Sequence, residues 1–144
     1  MNDSSSDAPL TNNLGDGWMA ANGIRVVSAS ADAVEVEWTV ARHHLQPYGV
    51  VHGGVHCGVI ETVCSYGAAL SAKARGHTGG VVGLENHTSF IRSARLGAVL
   101  RCLATPITRG RTTQVWEAHV RDSQDRIVAT GRVRLLAVAL ADLA

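Results

Sequence analysis

Residues 46–75 read QPYGVVHGGVHCGVIETVCSYGAALSAKAR. From Val55 onward nearly every position is small or apolar, until Lys73 and Arg75 precede Gly76. Cations in a last turn followed by glycine are a typical helix end. The stretch therefore predicts one long helix, and because that helix is apolar on all sides it should be buried.

Two features of this helix point to chemistry. Glu61 is its only carboxylate, and a lone buried carboxylate is costly unless the protein uses it. At the front, the glycines of His52-Gly53-Gly54 let the backbone approach a ligand, and free N–H groups at a helix start suit a developing oxyanion. The alternative, that Glu61 lies on a solvated face, is disfavoured by the apolar residues around it.

The spacing along the helix suggests a second copy of the chain. Glu61 follows Gly53 by eight residues, which is roughly 12 Å at about 1.5 Å per residue. That separation is too large for both residues to act on one carbonyl. Two helices packed antiparallel would place Glu61 of one beside Gly53 of the other, although a long substrate could also span the gap.

The remaining chain predicts mainly strands. Val34, Val36, Trp38 and Val40 alternate with more polar residues, as in a half-buried strand. Short turns separate the last three strands, which should be antiparallel neighbours. We expect a short helix within 10–22, then strands over 24–29, 34–40, 81–91, 98–108, 113–121 and 126–138. One long helix with about six antiparallel strands predicts an α+β layer in which the sheet wraps around the helix.

Length and composition limit the class of protein. The 144 residues suit a flexible tail over 1–9 and one domain over 10–144. A net charge of +1 makes nucleic acid an unexpected partner. Three cysteines and scattered histidines predict neither disulfides nor a metal site. No apolar run is long enough to span a membrane, so we expect a cytoplasmic protein.

The motifs and the β-β-α-β-β-β-β order resemble the hotdog-fold acyl-CoA thioesterases, in the branch of the 4-hydroxybenzoyl-CoA and PaaI-like enzymes. The resemblance covers residues 14–138 and rests on Gln46, Gly53, Glu61 and Ser65 at their spacing. A second match is the hairpin that begins GRTTQVWE at residue 110. The chain departs from many relatives at residues 91–94, IRSA, where Arg-Pro-Ala is common.

The resemblance implies hydrolysis of an aryl- or medium-chain acyl-CoA to free acid and CoA, with no cofactor. Glu61 would be the general base or the nucleophile, and the Gly53 N–H would polarise the thioester carbonyl. Gln46 would orient water or the leaving group, and Ser65 would hydrogen-bond the carboxylate or the water. His52 would contact the substrate or only hold its loop.

The resemblance also implies substrate contacts by Gly54 and by cations for the phosphates of CoA. Arg92, Arg109 and Arg111 are the predicted cations, with Arg92 and Arg111 in the family's loop positions. A homodimer, or a dimer of dimers forming a homotetramer, is expected. The alternatives are a hotdog hydratase or dehydratase, disfavoured by Gly53-Gly54, and a non-catalytic acyl-CoA-binding module.

Overall fold

The computed structural model describes residues 17–144. The predicted tail over 1–9 lies outside these residues, as does most of the helix predicted within 10–22. The described end of that segment forms one helical turn, α1 (Trp18–Ala21). The prediction of a short helix is therefore confirmed for its last part only.

The predicted strands and the long helix are all present, and no strand end differs from its prediction by more than one residue. Two 3-10 turns, Arg42–His44 and Leu140–Leu143, complete the described chain. The regular elements are β1 (Arg25–Ala29), β2 (Val34–Thr39), α2 (Gly53–Ala74), β3 (Gly80–Phe90), β4 (Val99–Arg109), β5 (Thr113–Asp122) and β6 (Ile127–Val138).

The strands form one antiparallel sheet in the order β1-β2-β4-β5-β6-β3. The tight turns between β4, β5 and β6 make these strands neighbours, as predicted. β3, which follows α2 directly, pairs with β6 instead of its sequence neighbours. It is therefore an edge strand of 11 residues, and one of its sides has no strand partner within residues 17–144.

The core lies between the sheet and one face of α2. Val59, Ile60 and Val63 are fully buried on that face, against the fully buried ring of Trp116 from β5. Gly67 permits this contact, because a Cβ there would lie 2.5 Å from Cζ3 of the Trp116 ring. The side chain of Gln114 ties the layers together, since its Nε2 donates to the Ala68 carbonyl oxygen at 2.9 Å.

The prediction that α2 is buried on all sides is wrong. Its second face, which carries Cys57, Glu61 and Ser65, is only half-buried in this single chain. The sequence does not distinguish the two faces, because the side chains of the second face are as small and apolar as those of the first. An apolar helix face that the chain's own sheet does not cover is open to a partner.

The helices of residues 17–144 include none that is both long and apolar enough to cross a membrane. Cys64 and Cys102 are buried and Cys57 is half-buried, and all three are free thiols. Burial raises the pKa of both the Cys64 and the Cys102 thiols, so these two behave as small apolar core residues.

Candidate active site

A cleft of about 330 Å³ opens at the N-terminal end of α2. Three of its walls come from segments that the sequence had singled out: Gln46 from the loop before the helix, Gly53 from the first turn, and Arg92 from the loop after β3. The other lining residues are Val50, Val51, His56, Phe90, Ile91 and Ser93. The fold thus brings three predicted site residues together across almost 50 positions of sequence.

The start of α2 leaves one backbone donor facing this cleft. His52 is the N-cap residue, and its Nδ1 accepts the Gly54 N–H at 2.8 Å. Within residues 17–144 the Gly53 N–H has no acceptor. The His52 side chain is therefore hydrogen-bonded within its own loop, and the Gly54 N–H is engaged in the cap. The Gly53 N–H keeps no acceptor among the described residues and lies at the positive end of the helix dipole.

Phe90 explains why position 53 is glycine. Its ring packs so closely over Gly53 that an added Cβ would lie 2.6 Å from Cζ. Phe90 is nonetheless 59% exposed, so it forms a wall of the cleft on one side and meets solvent on the other. Any larger residue at position 53 would push this wall away from the N–H donor.

Gln46 is held in place by its own loop. Its Oε1 accepts the Tyr48 N–H in a very short hydrogen bond. The side-chain NH₂ has no partner within residues 17–144, so it remains available to donate a hydrogen bond in the cleft.

The Glu61 carboxylate occupies a separate niche between α2 and the edge strand β3. Ser65 Oγ donates to Oε1 at 3.4 Å, and Asn86 Nδ2 donates to Oε2 at 3.4 Å. Gly83 lies directly beneath the carboxylate, since a Cβ there would be 2.1 Å from Oε1. The predicted pairing of Ser65 with Glu61 is thus present as a hydrogen bond one helical turn apart.

The structure does not bring Glu61 and Ser65 into the cleft that holds Gln46 and Gly53. In one chain the two groups are separated along the same helix by about two turns. Each chain therefore carries two half-sites, one with the backbone donor and one with the carboxylate.

The predicted arginines also separate. Arg92 is an exposed side chain at the edge of the cleft. Arg109 and Arg111 lie at the far end of α2, where Arg75 Nη1 donates to the Arg109 carbonyl oxygen at 2.9 Å. The Arg109 guanidinium is engaged by Asp32 at 2.6 Å. Within one chain Arg109 and Arg111 therefore do not belong to the binding site of Arg92, because the β4–β5 turn lies at the opposite end of the helix from the cleft.

Sequence reasoning missed three residues around these half-sites. Asn86 donates both to Glu61 and, at 3.0 Å, to the Cys57 carbonyl oxygen, and it accepts from Thr88 Oγ1 at 2.6 Å. The run ENHTS at residues 85–89 gave an indication, because a strand with polar residues on both faces turns one set of them towards the protein, where they need hydrogen-bond partners. Phe90 and His56 gave no such signal.

His56 is the one strongly perturbed ionisable group lining the cleft. It is 3% exposed, and burial lowers the pKa of its imidazole to about 4. The ring is therefore neutral at physiological pH. Its packing partner is Phe90, with ring centroids 6.3 Å apart.

Comparison with known proteins identifies the family. The family model described as the thioesterase superfamily matches residues 48–129. The 1,4-dihydroxy-2-naphthoyl-CoA hydrolase of Escherichia coli is 31% identical over 123 residues, which are 85% of this chain and 88% of the relative.

Solved structures share the fold. The thioesterase HI1161 of Haemophilus influenzae superposes with a TM-score of 0.81 at 30% identity, over 91% of this chain and 89% of that one. The AziG protein of S. sahachiroi superposes with a TM-score of 0.80 at 37% identity, over 86% and 98%. The chain therefore belongs to the thioesterase superfamily, and it is a thioesterase with the hotdog fold.

Proposed function

We propose that this enzyme hydrolyses an aryl- or medium-chain acyl-CoA to the free acid and CoA, at a site completed by a second copy of the chain. The observation that carries the proposal is the pair of half-sites. Gln46, the free Gly53 N–H and Arg92 share one cleft, whereas the Glu61 carboxylate is held about two helical turns away.

A two-fold pairing through β3 would unite the halves. Glu61 lies against Gly83 and Asn86 of β3, so its niche adjoins the free edge of the sheet. Joining two such edges would pair the unpaired backbone groups and lay the half-buried faces of the two α2 helices against each other. In an antiparallel arrangement Glu61 of one chain would then approach Gly53 of the other. A further pairing into a tetramer remains a prediction.

The chemistry follows from the groups present. The Gly53 N–H donates to the thioester carbonyl oxygen and stabilises the charge that develops there. With Glu61 as general base, the carboxylate takes a proton from water, and the hydroxide adds to the carbonyl carbon. The C–S bond then breaks, and the departing thiolate recovers that proton.

The same geometry allows Glu61 to act as the nucleophile. Its carboxylate oxygen would then add to the carbonyl, expel the thiolate and leave an acyl anhydride that water hydrolyses. In both routes Ser65 and Asn86 orient the carboxylate, and the Gln46 amide is placed to orient the water or the leaving group.

The proposed substrate class draws on the relatives and on the cleft. The E. coli relative is named as a hydrolase of an aryl-CoA thioester. Arg92, exposed at the edge of the cleft, supplies a cation of the kind that binds the phosphates of CoA.

The first test is release of free thiol from a panel of aryl- and medium-chain acyl-CoAs. Glu61→Gln should lose about two to four orders of magnitude in turnover, because the amide cannot take a proton, while its melting temperature stays near that of the wild type. Near-normal turnover of the variant would remove Glu61 from the mechanism.

The shared site is tested by mixing Glu61→Gln subunits with Gln46→Ala subunits under conditions that allow exchange. A mixed dimer then carries one intact site and one doubly damaged site, so it should regain about half of the wild-type activity. No recovery on mixing, or an active monomer that is stable to dilution, would show that one chain builds the whole site.

A further inference from the structure

Among the described residues 17–144, His56 is the only polar side chain of the cleft that is almost completely buried, and it lacks a hydrogen bond. Its Nδ1 is fully enclosed and has no partner. Buried polar atoms are nearly always paired, so an unpaired one in a binding cleft requires an explanation.

The protonation of the ring follows from its surroundings. Burial keeps the imidazole neutral, with a pKa of about 4, so it carries one N–H. A proton on Nδ1 would bury a donor with no acceptor, whereas Nε2 is not fully enclosed and belongs to a ring that lines the cleft. The Nε2–H form is therefore favoured, and it presents a donor to whatever fills the cleft.

The position of the ring identifies the part of the substrate that it meets. His56 is three residues after Gly53, so it lies roughly 4.5 Å further along the helix axis. Arg92, which would take the phosphates of CoA, is exposed, whereas His56 is at the buried end of the cleft. A thioester whose carbonyl oxygen is at the Gly53 N–H thus places its acyl group, and not its CoA, against His56.

We propose that His56 is a specificity-determining residue that donates a hydrogen bond from Nε2 to an oxygen on the acyl group, carried by the carbon β to the thioester carbonyl. The preferred substrates are then thioesters with a hydroxyl or oxo group at that position, such as an ortho-hydroxylated aroyl group. This inference rests on the proposed thioester hydrolysis and names the acyl class that the same site prefers. Phe90, packed beside His56, offers the apolar wall that the ring of such a group needs.

The test compares 2-hydroxybenzoyl-CoA with benzoyl-CoA, which differ in one hydroxyl. The wild type should prefer the hydroxylated thioester about tenfold or more in kcat/KM, as one hydrogen bond to a buried partner implies. His56→Leu should lose that preference, because it slows the hydroxylated substrate more than benzoyl-CoA. His56→Gln, which can place an amide donor near the position of Nε2, should restore part of the preference.

His43→Leu is the matched control, because His43 is an exposed histidine outside the cleft, and it should keep the full preference. Hydrolysis of both thioesters at equal rates by the wild type would overturn the role of His56 and leave thioester hydrolysis standing. An equal loss on both substrates in His56→Leu and His56→Gln would also overturn it, by showing a role in the fold or at the reacting carbonyl. Release of no thiol from any acyl-CoA by the wild type would overturn the proposed function itself.

Discussion

Gly83→Ala should disable the enzyme without unfolding it. The added Cβ would lie 2.1 Å from Glu61 Oε1, so the carboxylate must move by about 1 Å to reach ordinary van der Waals distance. Because the obstructed atom is at the end of a flexible side chain, that movement costs the fold little. It breaks the long hydrogen bonds from Ser65 and Asn86, which are 3.4 Å already.

The magnitude follows from the displacement. Moving a catalytic group by about 1 Å can cost roughly 10²-fold in rate, so turnover should fall by about two orders of magnitude. Gly83 has no positive φ, and alanine also restricts the unfolded chain, so the free energy of unfolding should change by no more than about 1 kcal/mol. Thiol release at saturating acyl-CoA measures the first quantity, and thermal melting measures the second.

Gly80→Ala is the matched control in the same strand. A Cβ there would meet Leu143 Cδ1 at 2.8 Å, the end of a flexible side chain remote from the carboxylate. It should melt like Gly83→Ala and turn over like the wild type. If Gly83→Ala retained turnover within about threefold of the wild type, the position of the Glu61 carboxylate would not control the rate, and the argument for its role would fail.

Three further predictions follow from the same geometry. Asn86→Leu should lower kcat by about tenfold or more with little change in KM, because the Asn86 side chain orients Glu61 and does not line the cleft. An unchanged kcat in steady-state kinetics would contradict this prediction. Arg92→Ala should raise KM for full-length CoA thioesters but not for thioesters truncated before the nucleotide, because Arg92 would bind phosphate and not the reacting centre. Equal effects on the two kinds of thioester would refute the assignment. Burial lowers the pKa of His56 from 6.5 to about 4, so the unfolded chain binds the extra proton first as the pH falls. The free energy of unfolding should therefore decline between pH 6.5 and pH 4 by up to about 3 kcal/mol. Denaturant titrations of His56→Leu should show a shallower decline, and an equally steep one would contradict this reasoning.

The order and type of the secondary-structure elements could be predicted because they depend on local patterns. The alternation at Val34, Val36 and Trp38 produced a strand buried on one face, and the glycine after Lys73 and Arg75 marks the end of α2. The strand ends differed from their predictions by at most one residue, because hydrogen bonding to neighbouring strands extends or trims them.

Part of the candidate site was equally predictable. The spacing of Gly53, Glu61 and Ser65 on one helix follows from helical geometry, so it predicted both the hydrogen bond between the two side chains and the separation of the two half-sites. The burial of α2 was predicted wrongly, because an apolar composition does not say which face the chain itself covers.

Local sequence therefore determined the helix, the strands and the spacing of the reactive groups, since each of these depends on residues a few positions apart. The place of β3 at the sheet edge, the contact of Asn86 and Gly83 with Glu61, and the enclosure of His56 beside Phe90 were decided only when distant segments packed together. Hydrogen bonding and desolvation act between atoms that are near in space, and folding alone brings those atoms close.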